Sequence, residues 1–438
     1  MSRAIIPNPA ISSRKKMGYN WTILIKWSRK GGSTIMPGYH PYSEAEAIEL
    51  ARSFPDVFSP EAELSCREIG DGNLNLVFHI TEPATGKGLI IKQALPYVKV
   101  FGESWPLSID RARIEGEALK IQHALAPELV PQVFLTDHEQ AITVMEDLSD
   151  HVILRKGLMD RTVYPRFAGD ISTFLAQTLF FTSDLGMSQQ EKKLRQQAFV
   201  NVELCQITED LIFDEPYREH ERNNYEDAIA DEAAALRSDG ALRTEIALLR
   251  EKFLTRGEAL LHGDLHTGSI FALPDSTKVI DPEFAFYGPM GFDIGAVIAN
   301  LLLNYAGQEH WSADEASRKE YREFLLETVR GTWTQFSAKF RTLWDEHGKD
   351  PVFSNAPGYQ DLYMDRLLQD TIGFAGAKMV RRVVGFAHVA DLDTIPDDAV
   401  RERAKRLALA IGKELIRQNR SIRSIEQAID IALTAAAR

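Results

Sequence analysis

Three carboxylates of this chain are spaced so that they could share one reaction. Asp264 lies in the run Leu260-Leu261-His262-Gly263-Asp264-Leu265-His266-Thr267-Gly268-Ser269, a loop that directly follows apolar residues. A base that receives a hydroxyl proton has to sit in such a place. Asp281-Pro282-Glu283 follows, with seventeen positions separating the two aspartates. Alternate residues of an extended segment face the same side, so Asp281 and Glu283 can both meet one Mg²⁺ ion. His262, Asp264 and His266 could also be read as hydrolase metal ligands. Gly263 and Gly268 argue against a helix there, and no further ligand cluster accompanies them.

Other residues suit phosphate and a nucleobase. Lys92 ends the apolar run Leu89-Ile90-Ile91, where a strand lysine points into a groove and its ammonium can pair with phosphate oxygens. A glutamate on the next helix must hold it: Glu115, four before Leu119, is the better candidate and Glu117 the alternative. A strand-end lysine with its head in solvent is the plainer reading. The turn Gly70-Asp71-Gly72-Asn73-Leu74-Asn75 exposes backbone N–H groups that can cover phosphates, with Gly70, Gly72 and Asn73 as candidates. Asp-Gly-Asn is equally an ordinary hairpin turn. In Val144-Met145-Glu146-Asp147-Leu148, main-chain groups around Glu146 and Leu148 can read an adenine edge, or the segment simply connects two lobes.

Residues so dispersed need elements to bring them together. Ser43 and Glu46 form a capping box ahead of an Ala/Glu/Leu helix. Leu64 to Gly70, Leu74 to Ile80 and Gly88 to Lys92 read as short strands in an antiparallel meander. A helix from about Ser108 to Ala126 stops before Pro127, and strands Gln132 to Thr136 and Ala141 to Glu146 complete a small sheet. The pair Ser269 to Leu273 and Thr277 to Ile280 turns at Pro274-Asp275. Asp293 opens an apolar helix, Ile294 to Leu303, as a cap. Glu219 to Glu232 reads as an acidic, solvated stretch. Ile422, Ile425, Ile429 and Leu433 form one apolar helical stripe near the end. The fold expected is α+β with two lobes: a small antiparallel-sheet lobe over 36–146 and a larger, mostly helical lobe over 147–438.

The first 35 residues hold +7 and no acid, so the rest holds −20 of the net −13. This basic extension is expected to be disordered or to precede the native start at Met36; an acid-poor, Ser-containing leader also fits a transit peptide. The whole chain has 438 residues, 44% hydrophobic and 26% charged, as in ordinary globular proteins. Its acidic balance argues against nucleic-acid and membrane-surface partners, both of which require a basic face. Two cysteines, Cys66 and Cys205, exclude a disulfide framework and suit a reducing compartment. No run approaches the roughly 18 apolar residues of a membrane span. A cytoplasmic enzyme is the expectation.

Taken in order, the glycine turn, strand lysine, hinge, His-Gly-Asp loop and Asp-x-Glu resemble the protein-kinase-like small-molecule kinases, from Met36 almost to the end. Within that group, His262 to Ser269, the run from Asp281 to Gly295, Asp71 to Phe78 and Met379-Val380-Arg381-Arg382-Val383-Val384-Gly385-Phe386 resemble the methylthioribose kinase family. The resemblance implies transfer of the ATP γ-phosphoryl group to the anomeric hydroxyl of 5-methylthioribose, with Mg²⁺, by a homodimer. It assigns Asp264 as base, Asp281 and Glu283 to the metal, Lys92 to phosphate and the 145–148 hinge to adenine. Arg381 and Arg382 match the arginine pair near the sugar and the transferred group, while His262 and Asp293 support the loop. Two positions depart from protein kinases: Ser269 replaces a metal-binding Asn, and Glu283 replaces the Gly of Asp-Phe-Gly. Metal binding is therefore expected to lean on Asp281 and Glu283. Homoserine, choline and aminoglycoside kinases are the competing acceptor classes. Both arginines sit among small apolar residues, so they need anionic partners, because unpaired burial of charge costs several kcal/mol.

Overall fold

The computed structural model describes residues 38–70, 74–99 and 102–437. The basic extension, and Gly72 and Asn73 of the glycine turn, lie outside them. Helix α1 (Glu44–Ala51) begins at the expected capping box: the Ser43 N–H donates to the Glu46 carboxylate at 2.8 Å, and the Glu46 N–H donates to Ser43 Oγ at 3.4 Å.

A five-stranded antiparallel sheet follows, built from β1 (Ser65–Glu68), β2 (Asn75–Glu82), β3 (Lys87–Ala94), β4 (Val133–Asp137) and β5 (Ile142–Glu146), with α2 (Asp110–Leu125) between β3 and β4. Its order is β1-β2-β3-β5-β4, so the meander covers three strands and the last hairpin enters reversed. Burial explains the reversal. Ile142, Thr143, Val144 and Met145 of β5 are buried and take the inner position, while β4 is only half-buried and takes the edge. One face of the sheet, with Phe78, Ile80, Leu89, Ile91 and Val144, packs on Ala47, Ala51 and Phe58. Period-two alternation then turns Val77 and Lys92, which are directly paired, to the opposite face.

The larger lobe is mostly helical, with a short hairpin of β6 (Ile270–Leu273) and β7 (Ser276–Val279). Its centre is α3 (Gly291–Trp311), buried continuously from Gly291 to Gln308. Helix α4 (Tyr359–Val384) lies against it and is buried from Asp370 to Val384. Glycine permits this approach: a Cβ on Gly295 would meet the Thr371 carbonyl at 2.5 Å. On its other side α4 meets α5 (Asp398–Gln418), where a Cβ on Gly376 would lie 2.6 Å from the Gly412 carbonyl. The charged residues of the second half of α4 are thereby fixed inside the lobe.

Three local expectations change. Helix α3 starts two residues before Asp293, so this carboxylate is in the first turn and does not cap the helix. The terminal helix spans Ile425–Ala436, with Ile425, Ala428, Ile429, Ile431 and Ala432 inside; Ile422 precedes it and Leu433 is exposed. Its inner face thus follows a slightly different line from the expected stripe. The acidic stretch 219–232 is partly docked: Glu226 accepts from Arg401 and Lys405 of α5 at 2.7 and 3.0 Å, and Asp231 pairs with Arg406 at 3.0 Å.

Candidate active site

On the sheet side of the cleft, Lys92 projects from β3 and its ammonium donates to Glu115 Oε1 of α2 at 2.8 Å and to Asp281. Glu117 takes no part; it pairs with Lys120 on the outer face at 3.0 Å. Burial works against the Lys92 charge, but Asp281, Glu115 and Glu283 outweigh it and hold the ammonium above its ordinary pKa. Burial also pushes the Glu115 carboxyl up; Lys92 only partly offsets this, and Asp281 and Glu283 add to the rise. Asp281 has a left-handed backbone, φ +68°. Such a conformation costs a non-glycine residue about 1–3 kcal/mol and is tolerated where surrounding contacts hold it.

Glu283 is buried and is held from the sheet side. Its Oε2 accepts from Asn75 Nδ2 at 3.2 Å and lies 3.4 Å from Arg111 Nε. Arg111 also donates to the Leu74 carbonyl at 2.6 Å and to Asn75 Oδ1 at 3.2 Å. The exit of the glycine turn is therefore tied to the Asp-Pro-Glu segment, while Gly70, at its entry, is exposed. Glu115, Asp281 and Glu283 each present an oxygen, all within 4.8 Å of one another. Three hard oxygen donors gathered in this way fit Mg²⁺.

The His-Gly-Asp loop is braced from beneath. Asp293 accepts the His262 N–H at 2.6 Å and the Gly263 N–H at 3.1 Å. His262 Nε2 donates to the Ile280 carbonyl at 2.8 Å, which links this loop to the residue before Asp281. Gly263 has φ +84°, and a Cβ there would lie 2.1 Å from the Phe284 carbonyl, so glycine is required at this crossing. Ser269 is buried, and its Oγ is 3.2 Å from the Asp264 carbonyl and 3.1 Å from His266 Nδ1. Its hydroxyl is thus engaged within the loop.

Asp264 faces α4. Its Oδ1 accepts from Lys378 Nζ at 3.0 Å and lies 3.8 Å from the Arg381 guanidinium, and His266 Nε2 is 3.5 Å from Oδ2. Burial opposes the Asp264 charge, yet Lys378, His266, Arg382 and Arg381 hold its carboxyl well below the usual carboxylate range. Arg381 and Arg382 are 6% and 8% exposed, so neither is the solvent-facing arginine that adjacent helix positions favour. Their guanidinium groups converge, each donating to the Ala387 carbonyl at 3.2 Å. Arg155 completes the cationic wall: its N–H donates to the Thr267 carbonyl at 3.0 Å, and its side chain reaches Asn300 Oδ1 and Asp391, both at 3.3 Å.

At the hinge, the Glu146 side chain accepts the Gln132 N–H at 3.0 Å and lies 3.4 Å from Lys278 Nζ. Leu148 is buried, and its carbonyl accepts the His151 N–H at 3.0 Å. Asp147 accepts from His79 Nε2 of β2 at 2.8 Å, tying the sheet to the lobe junction. Sequence reasoning passed over Lys378, Arg111 and Arg155, and quoted Asn75 in the glycine turn without giving it a role. For Lys378 a signal existed: it precedes Arg381 and Arg382 by three and four positions, which puts all three on one helical face.

The phosphotransferase enzyme family matches residues 65–331. The chain is 49% identical over 389 residues to a methylthioribose kinase of Geobacillus sp. (strain WCH70), covering 89% of this chain and 94% of that protein. It is 50% identical over 378 residues to a methylthioribose kinase of Geobacillus thermodenitrificans, covering 86% and 93%. A methylthioribose kinase of Yersinia enterocolitica is 46% identical over 396 residues, covering 90% and 98%.

Proposed function

The chain belongs to the methylthioribose kinase family, and from that premise we propose that it transfers the γ-phosphoryl group of ATP to the anomeric hydroxyl of 5-methylthioribose. The product is 5-methylthioribose 1-phosphate, formed in salvage of methionine sulfur. The observation that carries this reading is Asp264 held beside Arg381 and Arg382, in a chain whose carboxylates Glu115, Asp281 and Glu283 also gather at one place.

Phosphoryl transfer asks a protein mainly for positioning and charge compensation. Lys92, fixed by Glu115, binds nucleotide phosphate oxygens, and the 145–148 hinge takes the adenine. Asp264 receives the proton of the acceptor hydroxyl as its oxygen bonds to the γ-phosphorus. The bond from that phosphorus to the β–γ bridging oxygen breaks, and ADP leaves. Arg381 and Arg382 stabilise the negative charge spread over the equatorial oxygens, a task for which guanidinium forks are suited. Asp281 and Glu283, with Glu115 beside them, would hold Mg²⁺, which when bound neutralises phosphate charge. Asp293 and His262 keep the loop in register.

The cationic wall of Lys378, Arg381, Arg382 and Arg155 disfavours a polycationic aminoglycoside and suits a neutral sugar receiving an anionic group. Use of ATP and two free cysteines fit work in the cytoplasm. The assembly we propose is a homodimer, which light scattering on the purified chain measures. The deciding experiment follows ATP consumption with methylthioribose, ribose, homoserine, choline and kanamycin. Fastest turnover with methylthioribose is expected, and turnover of homoserine, choline or kanamycin ahead of it overturns the assignment.

A further inference from the structure

Asp264 has two oxygens in unlike surroundings. Oδ1 accepts a hydrogen bond from Lys378 Nζ at 3.0 Å and has Arg381 at 3.8 Å. Oδ2 accepts no hydrogen bond from a side chain among the described residues; His266 Nε2 lies 3.5 Å from it, and that contact is not a hydrogen bond. The Gly268 N–H donates to His266 Nδ1 at 3.1 Å, so the ring proton of the neutral imidazole is on Nε2. Burial, reinforced by Arg155, Arg382 and Lys378 against the pull of Asp264, keeps this ring below its usual pKa and neutral.

We propose that Lys378 is a positioning residue: its ammonium clamps Oδ1 of Asp264 and leaves Oδ2 as the oxygen that receives the acceptor proton. This rests on the reading of Asp264 as the base. Lys378 is only 3% exposed. The ring of Phe292 lies under its Nζ at 4.4 Å, so the ammonium is held between an aromatic face and the carboxylate. A surface lysine swings among rotamers; this one cannot, and fixing one oxygen of a carboxylate fixes the direction of the other.

The charged groups facing it come from every neighbouring element. Asp264 and His266 face it from the loop, Arg381 and Arg382 from its own helix, and Asp293 from α3. Arg155 and Asp391 lie behind the arginines. Burial brings the Lys378 pKa down to about 8; Asp264 resists the fall, while Arg381 and Arg382 add to it. The ammonium is therefore present below that pH and lost above it. Its loss frees Oδ1 and removes a positive charge from beside the base.

The test measures kcat and KM for methylthioribose and ATP between about pH 6 and 10 for the full chain, Lys378→Arg and Lys378→Met. The wild-type kcat is expected to fall above about pH 8. Lys378→Arg keeps a cation at the site, so its alkaline fall moves up by at least about one pH unit. Lys378→Met loses about 10–100-fold in kcat with little change in KM for ATP, and it loses the alkaline limb. A wild-type alkaline limb retained unchanged in Lys378→Arg overturns the proposal, as does near-normal kcat in folded Lys378→Met. If Lys378→Met does not fold, the pH comparison of wild type with Lys378→Arg decides alone. Asp264→Asn separates the two readings: normal turnover there defeats the base assignment itself. An inactive Asp264→Asn beside a fully active Lys378→Met defeats only the clamp.

Discussion

On the sheet side of the cleft, Lys92 stands among three carboxylates, Glu115, Asp281 and Glu283. On the helical side the signs are exchanged: Asp264 stands among Lys378, Arg381 and Arg382. Both groups are largely withdrawn from water, although the side chains of Asp281 and Asp264 stay 39% and 21% exposed, and each carries a surplus of one sign. Buried surplus charge is costly, by several kcal/mol per unpaired ion, unless a ligand of the opposite sign completes it. One ligand can complete both sides. A nucleotide brings a divalent cation that suits the carboxylates, and its terminal phosphoryl group suits the cations. On the proposed function, the difference between the halves would mark a direction, from the carboxylates that accompany the donor to the cations that receive the transferred group.

Variants that remove one sign at a time break this comparison in order of size. The largest effect is expected at Asp264. Asp264→Asn should cost about 10²–10⁴ in kcat while ATP binding survives, because on the proposed mechanism it removes only the proton acceptor; stopped-flow turnover and nucleotide titration measure the two separately. Next comes the arginine pair. Arg382→Ala should lower kcat/KM for methylthioribose by about 10²–10³, the usual cost of deleting one buried donor to transition-state charge. Arg382→Lys should not restore it, since a point charge cannot reproduce the guanidinium fork. Equal losses of ATP binding and sugar turnover would make the pair scaffolding. On the opposite half, Asp281→Asn and Glu283→Gln should raise the Mg²⁺ concentration needed for half-maximal rate by roughly 10–100-fold. A magnesium titration unchanged in both variants would remove them from the metal.

Most of the scaffold was legible because local signals agreed with the final packing. Alternating apolar residues bounded by Gly and Asp marked the strands, and the Ser43/Glu46 box marked the first helix. Where the reading failed, a distant partner had decided the outcome. The place of the last two strands, on which the spacing made no statement, depends on how strongly β5 is buried relative to β4. Helix α3 begins at Gly291, where the backbone of α4 lies close enough that a Cβ would meet the Thr371 nitrogen at 2.8 Å. That leaves Asp293 free to brace the loop. In the site, Lys378 was within reach of helical periodicity, and Arg111 likewise stands four positions before Glu115. Arg155 was not within reach. It follows the hinge in a short helix, Leu154–Met159, and meets Asp391 from a remote part of the chain.

The smallest effect sharpens the comparison on the sheet side, where spacing alone left two partners open for Lys92. Glu115 and Glu117 lie two positions apart on α2, about 200° around the helix, so only one can face the cleft. Glu115 is 3% exposed and bonds to Lys92, whereas Glu117 and Lys120 have side chains 38% and 43% exposed. Glu115→Gln keeps the shape but removes a charge-assisted bond of about 1.5–3 kcal/mol, which leaves Lys92 drawn to Asp281 and Glu283. KM for ATP should then rise by about tenfold or more. Glu117→Gln removes a solvent-screened pair, so thermal stability should change by no more than about 0.5–1 kcal/mol and the kinetic constants should stay as they are. The same rise in KM for both variants would mean that α2 acts on the nucleotide through its general negative charge. A rise confined to Glu115→Gln identifies one buried carboxylate, held four residues beyond Arg111, as the group that aims the lysine.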